Sequence, residues 1–230
     1  MTNPNQSTGT QPRFTGEDHM RIAVINETSA GDRNGDVVKA LEGRGQDIVN
    51  CGMRKGGEKP ELTYIHTGLI AGLLLATRRV DLVVGGCGTG IGFLNSAMQY
   101  PGVVCGLIQN PLDAFLFAQI NDGNCISLAL NYGYGWAADR NLNLIFDQFF
   151  SQAGGGGYPP HRKESQAQSR HLLGGIAKAT HRDLAAIIEA LPADALMPAI
   201  TYPGIKEVLT GGQGVDPAVV SALERRWAGK

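Results

Sequence analysis

Asp81–Gly92 reads DLVVGGCGTGIG, a short β-branched apolar run that ends in alternating glycines around one cysteine. A run of this length bounded by glycine is a buried strand, and the sequence beyond the glycines has helical character. The unit is therefore strand, tight turn, helix. The same grammar recurs on both sides of it. Arg21–Asn26 (RIAVIN), Asp47–Cys51, Val103–Ile108 and Cys125–Leu130 are four more apolar strands. Helical spacing follows the first over Asp36–Arg44, the second over Thr63–Thr77, the fourth from Asn110-Pro111 to Ile120, and the fifth over Trp136–Phe150. At Asn110-Pro111 a capping side chain precedes a first-turn proline. Five apolar strands alternating with helices predict a doubly wound α/β fold, with a five-stranded parallel sheet covered on both faces.

The pattern stops at Gly154–Gly157, which reads as a linker over residues 154–163. Beyond it the chain reads as a helical C-terminal extension, residues 164–230. Ser165–Leu191 is one predicted helix and Asp216–Trp227 another, with an irregular stretch between them around Pro192, Pro198 and Pro203. The α/β domain is thus expected over residues 20–153. Residues 1–19 are polar, without the apolar core of a secretory signal, and are expected to be a disordered tail.

The chain has 230 residues, 43% hydrophobic and 18% charged, with a formal net charge of −1. That composition suits a globular domain and supplies no basic field for nucleic acid or an anionic membrane surface. No apolar run is long enough to span a bilayer. Cys51, Cys87, Cys105 and Cys125 show no CxxC spacing and no paired histidine, which argues against structural zinc. Three of them lie in strands as small hydrophobes, the usage of a reducing, cytoplasmic compartment.

In open α/β sheets ligands bind beyond the carboxyl ends of the strands, and Cys87–Gly92 stands at such an end. Glycines 86, 88, 90 and 92 allow close backbone approach, and successive amides can form an anion nest. The turn is not a dinucleotide fingerprint, because the third glycine would fall at Phe93; nor is it a P-loop, because no Gly-Lys-Ser/Thr follows. A cysteine beside such amides can serve as a base toward a C–H bond while the amides hold the resulting enediolate. The plain alternative is a buried cysteine in a tight turn.

At Gly86-Cys87-Gly88-Thr89-Gly90-Ile91-Gly92 the chain resembles the ribose-5-phosphate isomerase B / galactose-6-phosphate isomerase family. RIAVIN, Pro101-Gly102, Pro111 with Ala114, Asn121-Asp122-x-Asn124 and the glycines before Tyr158 extend the resemblance over about residues 20–162. It implies a flavodoxin-like strand order, a homodimer with sites shared between subunits, and aldose–ketose isomerisation through an enediol without metal or cofactor. It implies that Cys87 moves the proton between C1 and C2. The amides of Gly88, Thr89, Gly90 and Gly92 would hold the enediolate, and the Thr89 hydroxyl and Asn121 would bond the sugar. Members with serine in place of the cysteine carry a glutamate four residues on; that position is Ile91 here.

The departures from the family pattern share one direction, from charged and imidazole groups to neutral or apolar ones. Asp-His after the first strand becomes Glu27-Thr28, the histidine before Asn-Asp becomes Ile120, and His-Asp becomes Gln109-Asn110. Of two phosphate-holding arginines, one position is Tyr158 and the other Arg162. The pattern points to a sugar or sugar phosphate as ligand, with an unphosphorylated sugar favoured by the amides of Gln109, Asn110 and Asn121. Tyr64 matches a position that faces the site in some members. His66 is a candidate for the missing acid, against the plainer reading of a helix histidine. His161, His171 and His181 read as solvated. The phenylalanines at 115, 117, 146, 149 and 150 read as core or dimer interface. A rival reading is a sugar- or phosphate-binding homologue without turnover, and a third is thiol chemistry at Cys87 unrelated to sugars.

Overall fold

A computed structural model of the chain describes residues 19–211 and 214–229. The expected N-terminal tail falls, apart from His19, outside the described residues. The α/β part runs β1 (Arg21–Asn26), α1 (Asn34–Leu41), β2 (Asp47–Asn50), α2 (Tyr64–Ala76), β3 (Leu82–Cys87), α3 (Ile91–Ala97), β4 (Cys105–Leu107), α4 (Pro111–Leu116), β5 (Cys125–Ala129) and α5 (Ala138–Phe149). A π-helical turn, Phe117–Asn121, extends α4 toward β5.

All strand pairs are parallel, and the order is β2-β1-β3-β5-β4. The doubly wound sheet is as the sequence predicts. The flavodoxin-like order is corrected: its last two strands would stand as β4-β5, whereas here β5 lies inside and β4 at the edge. Burial explains the exchange. β5 is buried along nearly its whole length, while all three residues of β4 are only half-buried. Asn124 fixes the pairing: its side chain accepts from Val104 N (2.8 Å) and donates to Gly102 O (2.9 Å).

Strand alternation divides the core in two. Ile22, Val24, Leu82, Val84, Ile126 and Leu128 face one layer, where α1, α4 and α5 pack together. Ala23, Ile25, Val83, Cys87 and Cys125 face the other, covered by α2 and α3. Residues Thr67–Leu74 of α2 are all buried, on every side of the helix. A helix apolar all round must be covered all round. The sheet covers one side and the C-terminal helices cover the other.

Those helices are α6 (Lys163–Thr180), α7 (Leu184–Ala190), α8 (Ala193–Ile200), α9 (Ile205–Thr210) and α10 (Pro217–Trp227). The single helix expected over Ser165–Leu191 is two. The His181 amide makes the last bond of α6, on Ala177 O, and Thr180 Oγ1 and the His181 ring add to the carbonyls of Ile176 and Ala177 there. The chain then turns so that Leu184 and Ile188 of α7 enter the core. The stretch expected to be irregular holds α8 and α9, because Pro192 introduces a helix instead of breaking one. Pro198, inside α8, cannot donate to the carbonyl of Asp194; His66 Nε2 takes that carbonyl at 3.0 Å.

α8 and α9 pack on α2, and α7 packs on α10. α6 differs, with no buried residue along its length. Nor is the glycine segment before it an unpacked linker. Gly154 and Gly155 are buried, and the amides of Gly155 and Gly157 bond the carbonyls of Ala118 and Gln119 at 2.9 Å.

Candidate active site

Cys87 is the last residue of β3, opposite Ala129 of β5. It is 6% exposed. Its carbonyl accepts from Leu130 N (3.0 Å) and Gly90 N (3.3 Å), and the Gly88 carbonyl accepts from Asn131 N and Tyr132 N. The loop after β5 therefore clamps the turn. Gly90 has φ +74°, and a Cβ there would stand 2.5 Å from Leu107 Cδ1, so only glycine fits this position. Ser127 Oγ donates to Gly90 O at 2.6 Å. The Thr89 hydroxyl, on the exposed crest, accepts from Ile91 N (3.3 Å), which leaves its proton to donate. Tyr64, at the start of α2, lies so close over Gly92 that a Cβ would stand 3.0 Å from its ring. The structure thus brings Tyr64 to the turn.

Glu27 follows β1 directly. Register pairs Asn26 with Gly86, so Glu27 and Cys87 are the next residues along the two neighbouring strand ends. Alternation points the Cys87 side chain to the α2 face of the sheet. Glu27 is 4% exposed. Its Oε1 accepts from Ser29 N (3.1 Å) and from the Ser29 hydroxyl. The Ser29 hydroxyl in turn accepts from Gly88 N at 3.0 Å, and its carbonyl accepts from Asn131 Nδ2 at 2.6 Å. Buried amides support this loop from beneath: Asn34 Nδ2 donates to Asn26 Oδ1 and Asn50 Oδ1, and Asn26 Nδ2 donates to Ala30 O. Thr28 is tied down by its amide on Leu62 O (2.9 Å) and by its side chain on Glu61, a carboxyl that Lys59 and this bond hold below its ordinary value.

Ser29 and Asn131 are site residues that the sequence reading missed. The rule that picked out the end of β3, applied equally to the ends of β1 and β5, reaches both. The expected amide nest is also smaller than four free donors, since Gly88 N bonds Ser29 and Gly90 N bonds Cys87 O.

Gln109 and Asn110 stand at the same end of the sheet, beyond the edge strand β4. Asn110 caps α4: its Oδ1 accepts from Asp113 N (3.0 Å) and its Nδ2 donates to Asp113 Oδ2 (2.9 Å). Gln109 is exposed, with its backbone N on Asp113 Oδ2 and its carbonyl accepting from Asn141. Both nitrogens of His66 are engaged. Nδ1 accepts from Thr63 N (3.0 Å), so the proton lies on Nε2, which meets Asp194 O. The histidine is a structural cap on two helices and no candidate acid.

Asn121 does not join Cys87 within one chain. It precedes β5, at the end of the sheet opposite the turn, separated from it by roughly the length of β5, about 15 Å. Arg162 follows the glycine segment seated on the Phe117–Asn121 turn, and its Nε donates to Ser165 Oγ (3.2 Å). Tyr158 lies edge-on to Phe115 with centroids 5.5 Å apart.

A parallel sheet whose glycine turn presents a thiol beside a buried carboxylate is the frame of a small-molecule enzyme site. The chain belongs to the Ribose/Galactose Isomerase family, whose model matches residues 22–165. It is accordingly an aldose–ketose isomerase. Among solved structures, it is 37% identical to a ribose-5-phosphate isomerase from Vibrio parahaemolyticus, with TM-score 0.85 over 90% of this chain and 99% of that one. It is 34% identical to a 4-deoxy-L-threo-5-hexosulose-uronate ketol-isomerase solved with a tartrate, with TM-score 0.85 over 91% of this chain and 100% of that one. A ribose-5-phosphate isomerase B from Clostridium thermocellum, 22% identical, shares the fold with TM-score 0.58 over 70% of this chain and 99% of its own. The first two coverages cannot be reached without helices beyond residue 165. No curated protein matches the chain.

Proposed function

We propose that the chain isomerises an unphosphorylated sugar or sugar acid through a cis-enediolate, with Cys87 as the base. The supporting observation is the register at the ends of β1 and β3, where Asn26 pairs with Gly86 and the buried Glu27 and Cys87 follow at the glycine turn. Cys87 takes the proton from one carbon and returns it to its neighbour. The Thr89 and Gly92 amides and the Thr89 hydroxyl bind the oxygen that gains charge. Tyr64 walls the pocket over Gly92. Thr28 and Gln109 lie at the rim for sugar hydroxyls.

Two observations favour a substrate without phosphate. Glu27-Thr28 and Ile120 supply no imidazole for ring opening, which suits a sugar already present as an open chain. One of the structural relatives, moreover, carries a ketol-isomerase name for a uronate. Asn121 and Arg162 reach a turn only from a second copy. The uncovered side chains Leu172, Leu173 and Ile176 of α6, each at least half exposed, supply an apolar strip for that copy. We therefore read the enzyme as a cytoplasmic homodimer with sites shared between subunits. Among the described residues no helix is long and apolar enough to cross a membrane.

The test is turnover on aldose–ketose pairs offered with phosphate, with carboxylate and with neither, using Cys87→Ala as control. General acid–base catalysis contributes about 10²–10⁴-fold, so a loss of that size is expected in the variant. An undiminished variant would overturn the assignment of Cys87. Binding without turnover by the native protein would instead support the sugar-binding reading.

A further inference from the structure

An enediol mechanism moves two protons, and Cys87 accounts for only the one on carbon. The other must pass between the two sugar oxygens. The histidines that the resemblance would have offered are absent, and His66 is committed elsewhere.

The turn contains a group suited to that task. Ser29 is exposed, so substrate can reach it, yet its hydroxyl is fixed at both ends. Gly88 N–H donates to it, and it donates to Glu27 Oε1. A hydroxyl has one proton and two lone pairs. With Gly88 on one lone pair and the proton directed at Glu27, the second lone pair is open to the site. The adjoining carboxylate is buried, follows Asn26, whose register partner Gly86 precedes Cys87, and forms none of the protein's ion pairs among the described residues.

We propose that Ser29 and Glu27 form the oxygen-to-oxygen proton relay of the isomerase. The step rests on the isomerase reading above. In the aldose-to-ketose direction, Cys87 takes the proton from C2, and the freed pair forms the C1–C2 double bond while the C1 carbonyl becomes an enolate oxygen. The hydroxyl on C2 gives its proton to Ser29 Oγ as Ser29 passes its own proton to the Glu27 carboxylate. Glu27 then returns that proton through Ser29 to the oxygen on C1, which becomes the hydroxyl and leaves the charge on the C2 oxygen. As the C2–O bond becomes the carbonyl, the double-bond pair takes the proton of Cys87 at C1. No external oxidant, reductant or acid is consumed, and both side chains end as they began. Ser29 touches substrate in this scheme, and Glu27 holds the proton between the two transfers.

The experiment follows turnover in deuterium oxide together with deuterium uptake at carbon in recovered substrate, for the native enzyme, Ser29→Ala, Ser29→Thr and Glu27→Gln. Without the relay, Cys87 still exchanges the carbon proton, but the enediolate returns to substrate more often than it proceeds. Ser29→Ala and Glu27→Gln are expected to lower turnover by about 10²-fold and to raise uptake per turnover severalfold. Ser29→Thr should restore most of the turnover, and the double variant should be no slower than either single one. A merely structural role would lower turnover and exchange together and leave their ratio unchanged, which would overturn the relay. A Ser29→Ala enzyme as fast as the native one would do the same. Native protein showing neither turnover nor exchange on any substrate would remove the isomerase reading itself. Matching circular dichroism and melting temperatures across the variants separate all of these outcomes from misfolding.

Discussion

The four cysteines sit in contrasting surroundings. Burial pushes the Cys51 thiol up to about 12 from an ordinary value near 9.0. Cys125 is raised for the same reason, with Cys105 adding to the effect. An acid whose folded value lies above its unfolded value stabilises the fold fully below the unfolded value and loses that contribution as pH rises. The protein is therefore expected to lose about 2 kcal/mol of stability from Cys51 between neutral pH and about pH 10.5. Denaturant midpoints measured across that interval would show it. Cys51→Ala should flatten the slope in part, with Cys125 and the raised phenols of Tyr100, Tyr134 and Tyr202 accounting for what remains, and an unchanged slope would refute the attribution. At this level the strand end and its glycines drew attention to Cys87, while Glu27 and Tyr64 came only from the family resemblance. The sequence marked Ser29 and Asn131 only by their place after strand ends, since their contacts arise from the meeting of loops 59 and 102 residues apart in the chain.

His66 joins two helices that no local pattern connects. It completes a capping box with Thr63 at the start of α2 and takes the Asp194 carbonyl that Pro198 leaves unbonded in α8. This carbonyl is open to water, so losing the bond and the capping box costs about 0.5–1.5 kcal/mol; His66→Ala should lose that much stability while its folded fraction keeps native kcat. A fall in kcat with unchanged melting would return His66 to the catalytic candidates. The example also shows why the C-terminal elements were misread. Pro192 and Pro198 look like breakers in isolation, but one opens α8 and the other is accommodated by a side chain 128 residues distant in sequence. Strands fared better, because short apolar runs bounded by glycine and proline are local features. Their order was not local: Val103–Ile108 and Cys125–Leu130 are similarly apolar, and only the packed sheet decides which becomes the edge.

The assembled protein supplies the strictest test of shared sites. If Cys87 of one copy works with Asn121 and Arg162 of another, each dimer has two composite sites. Mixing inactive Cys87→Ala protein with inactive Asn121→Ala protein then regenerates one intact site in every mixed dimer. Random exchange makes half of the dimers mixed, so about a quarter of native activity should return. No recovery, in a mixture shown by mass spectrometry to have exchanged, would place each site within one chain. Ile176→Asp on α6 should separate the copies on a sizing column and silence them together.

The burial of Thr67–Leu74 on every side of α2 reaches beyond this chain. Its outer side faces α8 and α9, which lie past the end of the family match. A family member that stops near residue 165 has nothing to lay over that side and must wet it, so its counterpart of α2 should carry lysines, glutamates or glutamines where this one has Gly68–Leu75. The hydropathy of a single internal helix would then foretell, in an unread relative, whether the polypeptide continues into a helical cap.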